Sequence, residues 1–325
     1  MNSRNSTILL TIDVEDWFQV ENFKHCIPFS SWPNCELRVE KNTHRLLDLL
    51  DCFGSARKPE AEGEKAKGKS NGLRTTDHGQ GEKPRVTFFV LGWIAQRLPH
   101  LVREINARGH EVASHGYCHD LCDHQSPTAL KKDLTDSKRL LEDIIGAPVY
   151  GYRAPSFSIN YDILKIIEES AYVYDSSYNS FAMHGRYGRL NLSQNGRKGI
   201  ATQIADTRSP IPDVGSQVLY ELPISNLRLG NRILPWGGGA YFRLIPSPIF
   251  IAGVKVILRK QNAYLLYLHP WEFDPEQPMV EKSPRFFKFR HYTNLDKTAS
   301  KLSLFIETFK ECRFVTCKQY LEDNL

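Results

Sequence analysis

Long apolar runs are scarce in this 325-residue chain, and that scarcity excludes a spanning helix. The nearest candidate, residues 249–258, is interrupted by Lys255 and followed by Arg259 and Lys260. A secretory leader is also missing from the sequence. Residues 1–6 are polar, and the apolar run 7–12 is too short for a signal core and passes straight into acidic residues, which points to a cytoplasmic protein. The seven cysteines, at 26, 35, 52, 118, 122, 312 and 317, are odd in number and spaced without a disulfide framework, so a reducing compartment fits. No long run of one charge sign occurs, and the formal net charge is only +5. That balance makes no demand for nucleic acid. It admits an acidic partner, such as an anionic glycan or a lipid headgroup, and loose association with a membrane surface. Residues 55–84 have almost no large apolar side chains and are rich in Gly, Lys and Glu. Such a segment cannot bury enough surface to offset its ordering entropy and reads as a disordered insertion in a surface loop.

What the chain does contain is an alternation of short apolar runs and amphipathic stretches. Strands are expected at 7–12, 86–91, 111–114, 150–153, 172–175, 219–223, 263–268 and 312–316, and helices at 35–52, 99–108, 127–145, 162–170 and 302–310. Pro127 and Gly146 bracket one of the helices in the manner of a helix start and stop. Residues 180–216 read as irregular. This order predicts an α/β fold with a parallel sheet wrapped by helices, open or closed into a barrel. Asp13, His115, Arg153, Asp175 and His269 each fall at or just after an apolar strand. In a parallel β/α architecture those strand ends share one face, where active sites collect.

The residues at those ends have complementary chemistry. His115 and His119, four apart as on one face of a helix, can meet one cation, and Glu15 or Asp16 from the run Asp-Val-Glu-Asp can add a carboxylate. Two imidazoles and one carboxylate suit zinc, with cobalt, nickel or manganese as alternatives, and leave open positions for water. Asp13 is placed to take a proton, Arg153 to hold Asp13 ionised, and His269 to protonate a leaving amine, which together describe amide or ester hydrolysis. A competing reading makes His115, Cys118, His119 and Cys122 a closed structural zinc site. Short zinc modules usually draw their ligand pairs from separated segments, whereas these four lie within eight residues. Asp13–Asp16 also fits a solvated strand end or a helix cap.

The blocks Thr11-Ile-Asp-Val-Glu-Asp-Trp-Phe18, Thr87-Phe-Phe-Val-Leu-Gly-Trp93, Gly109-His-Glu-Val-Ala-Ser-His-Gly-Tyr-Cys-His119, Gly151-Tyr-Arg-Ala-Pro-Ser-Phe157 and Tyr174-Asp-Ser-Ser177 occur in one order along the chain. They are followed by Trp236-Gly-Gly-Gly-Ala-Tyr-Phe-Arg243 and Leu268-His-Pro-Trp-Glu-Phe-Asp274. In this order they resemble the polysaccharide deacetylases of the NodB-homology type (carbohydrate esterase family 4). The last two blocks resemble the branch tied to bacterial exopolysaccharide loci of the exosortase (PEP-CTERM) kind. The resemblance implies a distorted (β/α) barrel forming a single domain over 1–325, with the insertion at 55–84 and a family-specific extension from about residue 220. It implies hydrolysis of N-acetyl groups on an amino-sugar polysaccharide or its precursor in exopolysaccharide biosynthesis, with one divalent metal ion.

The same resemblance implies Asp13 as base, Arg153 as its partner, His269 as acid, and His115 and His119 as metal ligands. Tyr152, Pro155 and Trp271 would shape the acetyl pocket and its rim. The family's usual adjacent aspartates are replaced here by Asp-Val-Glu-Asp, so Glu15 and Asp16 both stand as the carboxylate ligand. The expected partner is an N-acetylated glycan or a lipid-linked oligosaccharide at the inner membrane surface, with no nucleic acid. An allantoin-type cyclic amidohydrolase on the same barrel prefers a small closed pocket, whereas Trp17, Trp93, Trp236 and Trp271 read as an aromatic rim for sugar stacking. A catalytically inactive glycan-binding assembly protein has no need of both an acid and a base.

Overall fold

The computed structural model describes residues 6–53, 83–181, 187, 190, 199–204 and 218–325. The insertion expected at 55–84 lies outside the described residues except for Lys83 and Pro84. Eleven strands are described: β1 (Thr7–Val14), β2 (Thr87–Val90), β3 (Glu111–Ser114), β4 (Gly151–Tyr152), β5 (Tyr174–Asp175), β6 (Thr202–Gln203), β7 (Tyr220–Glu221), β8 (Asn226–Leu229), β9 (Arg232–Pro235), β10 (Ala263–Leu268) and β11 (Arg313–Phe314). The main sheet runs β10-β1-β2-β3-β4-β5-β7-β6, with β11 added beside the start of β1. Every pair in it is parallel except β6–β7. The sheet curls into a half-barrel with helices against its outer face, while β8 and β9 form a separate hairpin.

Strand alternation explains how the site is aimed. All of β1 is buried on both faces, as expected for a central parallel strand. Ile8, Leu10, Ile12 and Val14 join the large core under the helices, whereas Leu9 joins a second core with Phe89, Ala113, Tyr174 and Leu265. The period of two therefore sends Thr11 and Asp13 to the same face as Leu9, the concave one. In register, Asp13 sits beside Phe89, which sits beside Ala113.

The helices follow local rules. Pro127–Ile145 starts on Ser126, whose hydroxyl accepts from the Ala129 amide, and stops at Gly146 in the left-handed region. Val39–Asp51 turns Val39, Leu46, Leu47 and Leu50 inward, starting four residues later than its sequence pattern indicates. Ser247–Gln261 holds the run first weighed as a membrane candidate. It is a helix whose buried face includes Phe250, Val254, Ile257 and Leu258. Among the described residues no helix is long and apolar enough to cross a membrane.

Candidate active site

One cavity opens at the carboxyl ends of the central strands, and its lining includes Asp13, Glu15, His115, His119, His269 and Trp271. Asp13 is inside β1, Glu15 just past it, His115 directly after β3 and His269 directly after β10. Arg153, directly after β4, lies beneath the cavity and is fully buried.

That buried guanidinium is neutralised and hydrogen-bonded on every side. Its Nη1 donates to Asp13 Oδ1 at 2.6 Å and to Thr11 Oγ1 at 2.8 Å. Its Nε donates to the Ser176 carbonyl at 2.9 Å and its Nη2 to Ser176 Oγ at 2.8 Å. The guanidinium carbon also stands 4.1 Å over the Phe89 ring. A charge buried this deeply is tolerated only with such compensation. Asp175, at the end of β5, does not reach the cavity lining. It accepts from Ser177 Oγ at 2.7 Å, and Ser177 Oγ accepts from the Ala154 amide at 2.8 Å, bracing the backbone beside Arg153.

Glu15, His115 and His119 are all buried and bring donor atoms within 4.8 Å of one another. The histidine pair is not helical. Residues 115–121 form a loop in which Gly116 has φ +73° and His119 has φ 56°. A Cβ on Gly116 would meet Asp133 Oδ2 at 2.9 Å, so the turn requires glycine on two counts. His115 Nδ1 is 2.7 Å from the Arg153 carbonyl, an acceptor, so Nδ1 carries the proton and Nε2 keeps its lone pair. Burial, together with the positive charges of Arg153 and His269, pushes His115 down to about 4. Burial pushes His119 well below its ordinary value, helped by the neighbouring His115 ring and by the positive charges of Lys24 and His269. Glu15 Oε2 stands 3.0 Å from His119 Nε2 yet accepts no hydrogen bond. Two neutral imidazoles and a carboxylate oxygen left without a hydrogen bond fit a divalent cation between them.

Asp16 is occupied elsewhere. Its Oδ2 accepts from the amides of Arg38 and Val39 at 2.7 and 2.8 Å, and its Oδ1 accepts from the Trp17 amide at 2.8 Å. It thus caps the helix Val39–Asp51 from a distance, satisfying amides that the helix cannot. Of the two acids left open by the sequence, the structure sets Glu15, not Asp16, beside the histidines. Cys122 is likewise turned away, its Sγ 3.2 Å from the Tyr152 hydroxyl.

On the far wall, His269 Nδ1 lies 2.6 Å from Glu272 Oε1, and its Nε2 lies 3.3 Å from Glu15 Oε1. Burial alone would lower its pKa. The Glu272 hydrogen bond and the negative charges of Glu15, Glu272 and Asp13 outweigh burial and raise it to about 9. Glu272 is itself held by Arg243, whose Nε donates to Oε2 at 3.1 Å while its two Nη atoms donate to the carbonyls of Arg290, His291 and Thr293. Gly239 makes room for this carboxylate, because a Cβ there would collide with both of its oxygens. Trp271 is stacked between His269, 5.0 Å away, and His291, 4.0 Å away. Sequence reasoning passed over Glu272 and Arg243. The signal was present, since both are charged residues inside the two blocks Trp236–Arg243 and Leu268–Asp274.

Other expected residues sit differently. Tyr152 is buried beneath the cavity, and neither it nor Pro155 lines it; Ser156 and Phe157 do. The expected aromatic rim reduces to Trp271. Trp17, Trp93 and Trp236 are buried core residues, with the Trp17 indole donating to the Glu36 carbonyl and the Trp236 indole to that of Phe250. Large aromatics gain most from burial, and that gain took these three inward.

This is the geometry of an α/β protein with a buried cluster of acids and histidines at its strand ends. Residues 80–174 match the family model "Polysaccharide deacetylase", and residues 176–322 match "Domain of unknown function (DUF3473)". The chain thus carries a region that matches polysaccharide deacetylases followed by one that matches DUF3473, each over less than half of the chain's length. Among curated proteins it is 32% identical over 97 residues to the peptidoglycan deacetylase-like protein FGM2 of Gibberella zeae, covering 30% of this chain and 29% of that one. It is 32% identical over 90 residues to the peptidoglycan-N-acetylglucosamine deacetylase of Bacillus cereus, covering 28% of this chain and 42% of that one. The matches therefore span less than half of either relative. Among solved structures, one from Mycobacterium smegmatis, described as that of a polysaccharide deacetylase, superposes with a TM-score of 0.59 at 20% identity, covering 98% of this chain and 89% of the other. PuuE allantoinase superposes with a TM-score of 0.54 at 11% identity, covering 98% and 89%. Both likenesses show the fold alone.

Proposed function

We propose that this protein is a metal-dependent hydrolase that removes N-acetyl groups from an amino-sugar glycan. The observation that carries the reading is the convergence on one cavity of an Arg-held carboxylate, an acid-and-two-histidine cluster and a Glu-held histidine. Glu15, His115 and His119 are the residues that would hold a divalent cation, zinc by preference, which when bound supplies Lewis acidity toward a carbonyl oxygen and lowers the pKa of water. Asp13, oriented by its ion pair with Arg153, takes the proton of the attacking water. His269, protonated and oriented through Nδ1 by Glu272, presents its Nε2 proton to the leaving amine nitrogen. Trp271 offers the cavity an apolar ring edge beside that proton. The matched deacetylase region and the two curated relatives support N-acetyl glycans over cyclic amides as the substrate class.

The narrower assignment, to exopolysaccharide assembly on a cytoplasmic or lipid-linked precursor, rests on the resemblance of the blocks Trp236–Arg243 and Leu268–Asp274. Arg243 and Glu272, the pair that holds His269, come from those two blocks, so the branch-specific sequence and the acid's support coincide. Acetate release from defined N-acetylated oligosaccharides should require a divalent metal and should fall by ~10²-fold or more in Asp13→Asn with metal still bound. Full activity in that variant would remove Asp13 from the role of base, and no release from any N-acetylated glycan in the presence of zinc, cobalt, nickel or manganese would sink the reading.

A further inference from the structure

We propose that the helix Arg285–Tyr292 and the loop before it form a docking surface for an anionic phospholipid bilayer. Three large apolar side chains stand out into solvent there: Phe286 is 63% exposed, Met279 57% and Phe289 56%. Phe286 and Phe289 are three residues apart on the helix and share a face. Met279 is not exposed through looseness of its loop. The Val280 amide donates to the Tyr292 hydroxyl at 2.8 Å, and that hydroxyl donates to the Pro278 carbonyl at 3.0 Å, pinning the residues on both sides of Met279 to the helix end. Single exposed apolar side chains are ordinary on a protein surface, but three large ones on one short segment, with the Met279 loop pinned in place, are the kind of feature that marks an interaction surface.

Charge selects the partner. Residues 279–292 contain Lys282, Arg285, Lys288 and Arg290 against a single acid, Glu281. Lys282 and Arg285 are exposed, and the Arg290 guanidinium lies 5.8 Å over the Phe286 ring. Aromatic and thioether side chains surrounded by basic ones match the interface of an anionic bilayer, where rings enter the acyl boundary and cations meet the headgroups. A second copy of this chain fits less well. A two-fold contact of the patch with itself would set like charges face to face.

The position of the surface adds a consequence, which rests on the function proposed above. Arg290 and His291, in the last turn of the same helix, line the catalytic cavity. Docking by Phe286, Phe289 and Met279 would hold the cavity mouth at the membrane, where a lipid-anchored glycan is presented.

The test is co-sedimentation of the full chain with vesicles of pure phosphatidylcholine and of phosphatidylcholine with one-third phosphatidylglycerol. Binding is expected to the anionic vesicles only, to weaken with added salt, and to fall at least ten-fold in both Phe286→Ser/Phe289→Ser and Lys282→Glu/Arg285→Glu. Acetate release from a short soluble N-acetylated oligosaccharide should be unchanged in the Phe286→Ser/Phe289→Ser variant, so failure of docking is read separately from failure of catalysis. Absence of wild-type binding to anionic vesicles overturns the proposal, as does unaltered binding by the variants. A wild-type dimer in sedimentation velocity that the Phe286→Ser/Phe289→Ser variant dissociates also overturns it, in favour of a contact between copies.

Discussion

Asp16→Ala and Glu15→Gln should separate two adjacent acids into a structural and a metal-binding role. In Asp16→Ala the amides of Trp17, Arg38 and Val39 lose their acceptor, and Trp17 and Val39 are buried. An orphaned buried amide costs ~1–3 kcal/mol, so the gross loss is several kcal/mol. Part of it is returned, because burial pushes the Asp16 carboxyl up from 3.8 to about 6 and the variant no longer carries that desolvated charge. A net loss of about 2 kcal/mol is expected, equivalent to a fall in Tm of roughly 3 °C for a chain of 325 residues. Metal content should be unchanged. Glu15→Gln should do the opposite, losing bound zinc after dialysis while the metal-free protein melts no lower than wild type, because a buried carboxylate with an unsatisfied oxygen has been removed. Calorimetry in EDTA and elemental analysis of dialysed protein read the two effects separately. Zinc lost from Asp16→Ala at unchanged Tm, or full zinc in Glu15→Gln, would refute the argument that hydrogen bonding to the distant helix start takes Asp16 out of the site.

Three further outcomes follow from the geometry. Glu272→Gln should lower kcat by ~10²-fold with little change in KM, since it disturbs the orientation of a proton donor and touches no binding group; an equal rise in KM would place Glu272 in substrate binding instead. Cys118→Ser should keep stoichiometric metal, because the proposed cation donors are Glu15, His115 and His119; metal loss would revive the cysteine-containing zinc site. His110 is buried with its Nδ1 accepting from the Val86 amide, and burial, aided by the charge of Lys83, pushes it from 6.5 down to about 4. A histidine depressed in the folded state binds its proton more readily when unfolded, so its contribution is present above pH 6.5 and is lost as pH falls toward 4. The loss amounts to about 3 kcal/mol, and urea titrations across that window should show stability falling less in His110→Gln than in wild type by about that amount, the remaining slope coming from other buried histidines such as His115.

The parts of this molecule that were legible in sequence are those set by local periodicity. Strand β3 and the helix Pro127–Ile145 match their sequence patterns end to end, because an apolar run or a Pro-to-Gly bracket is a local fact. The alternation of strands and helices carried Asp13, His115, Arg153 and His269 to one end of the sheet for the same reason. What was not legible depends on chain segments returning from elsewhere. Whether Asp16 faces a cation or a helix start is decided by residues 38 and 39, more than twenty positions away. Histidines four apart look helical in sequence, yet Gly116 and the positive φ of His119 turn them as a loop, and the two rings still meet. The tryptophans announced aromatic bulk without saying which face would take it, and only the 269–273 turn left one at the cavity.

Glu272 shows where the next gain in sequence reading lies. It stands one turn after His269 in a short 3-10 segment, and its partner Arg243 is 29 residues earlier, in a glycine-rich block whose Gly239 is cleared for that carboxylate. A histidine followed three residues later by an acid, paired with a distant Gly-Gly-Gly…Arg, is a pattern with a mechanism. The acid orients the imidazole through Nδ1, the arginine fixes the acid, and the glycine makes room for the acid. Because Arg243 Nη atoms also tie down the carbonyls of 290, 291 and 293, the same side chain that holds the proton donor's partner anchors the exposed helix Arg285–Tyr292. The proposed proton donor and the proposed docking surface are thereby built on one buried arginine. Arg243→Lys, which cannot reproduce that fork, should lower kcat and vesicle binding together, whereas Glu272→Gln should lower kcat alone.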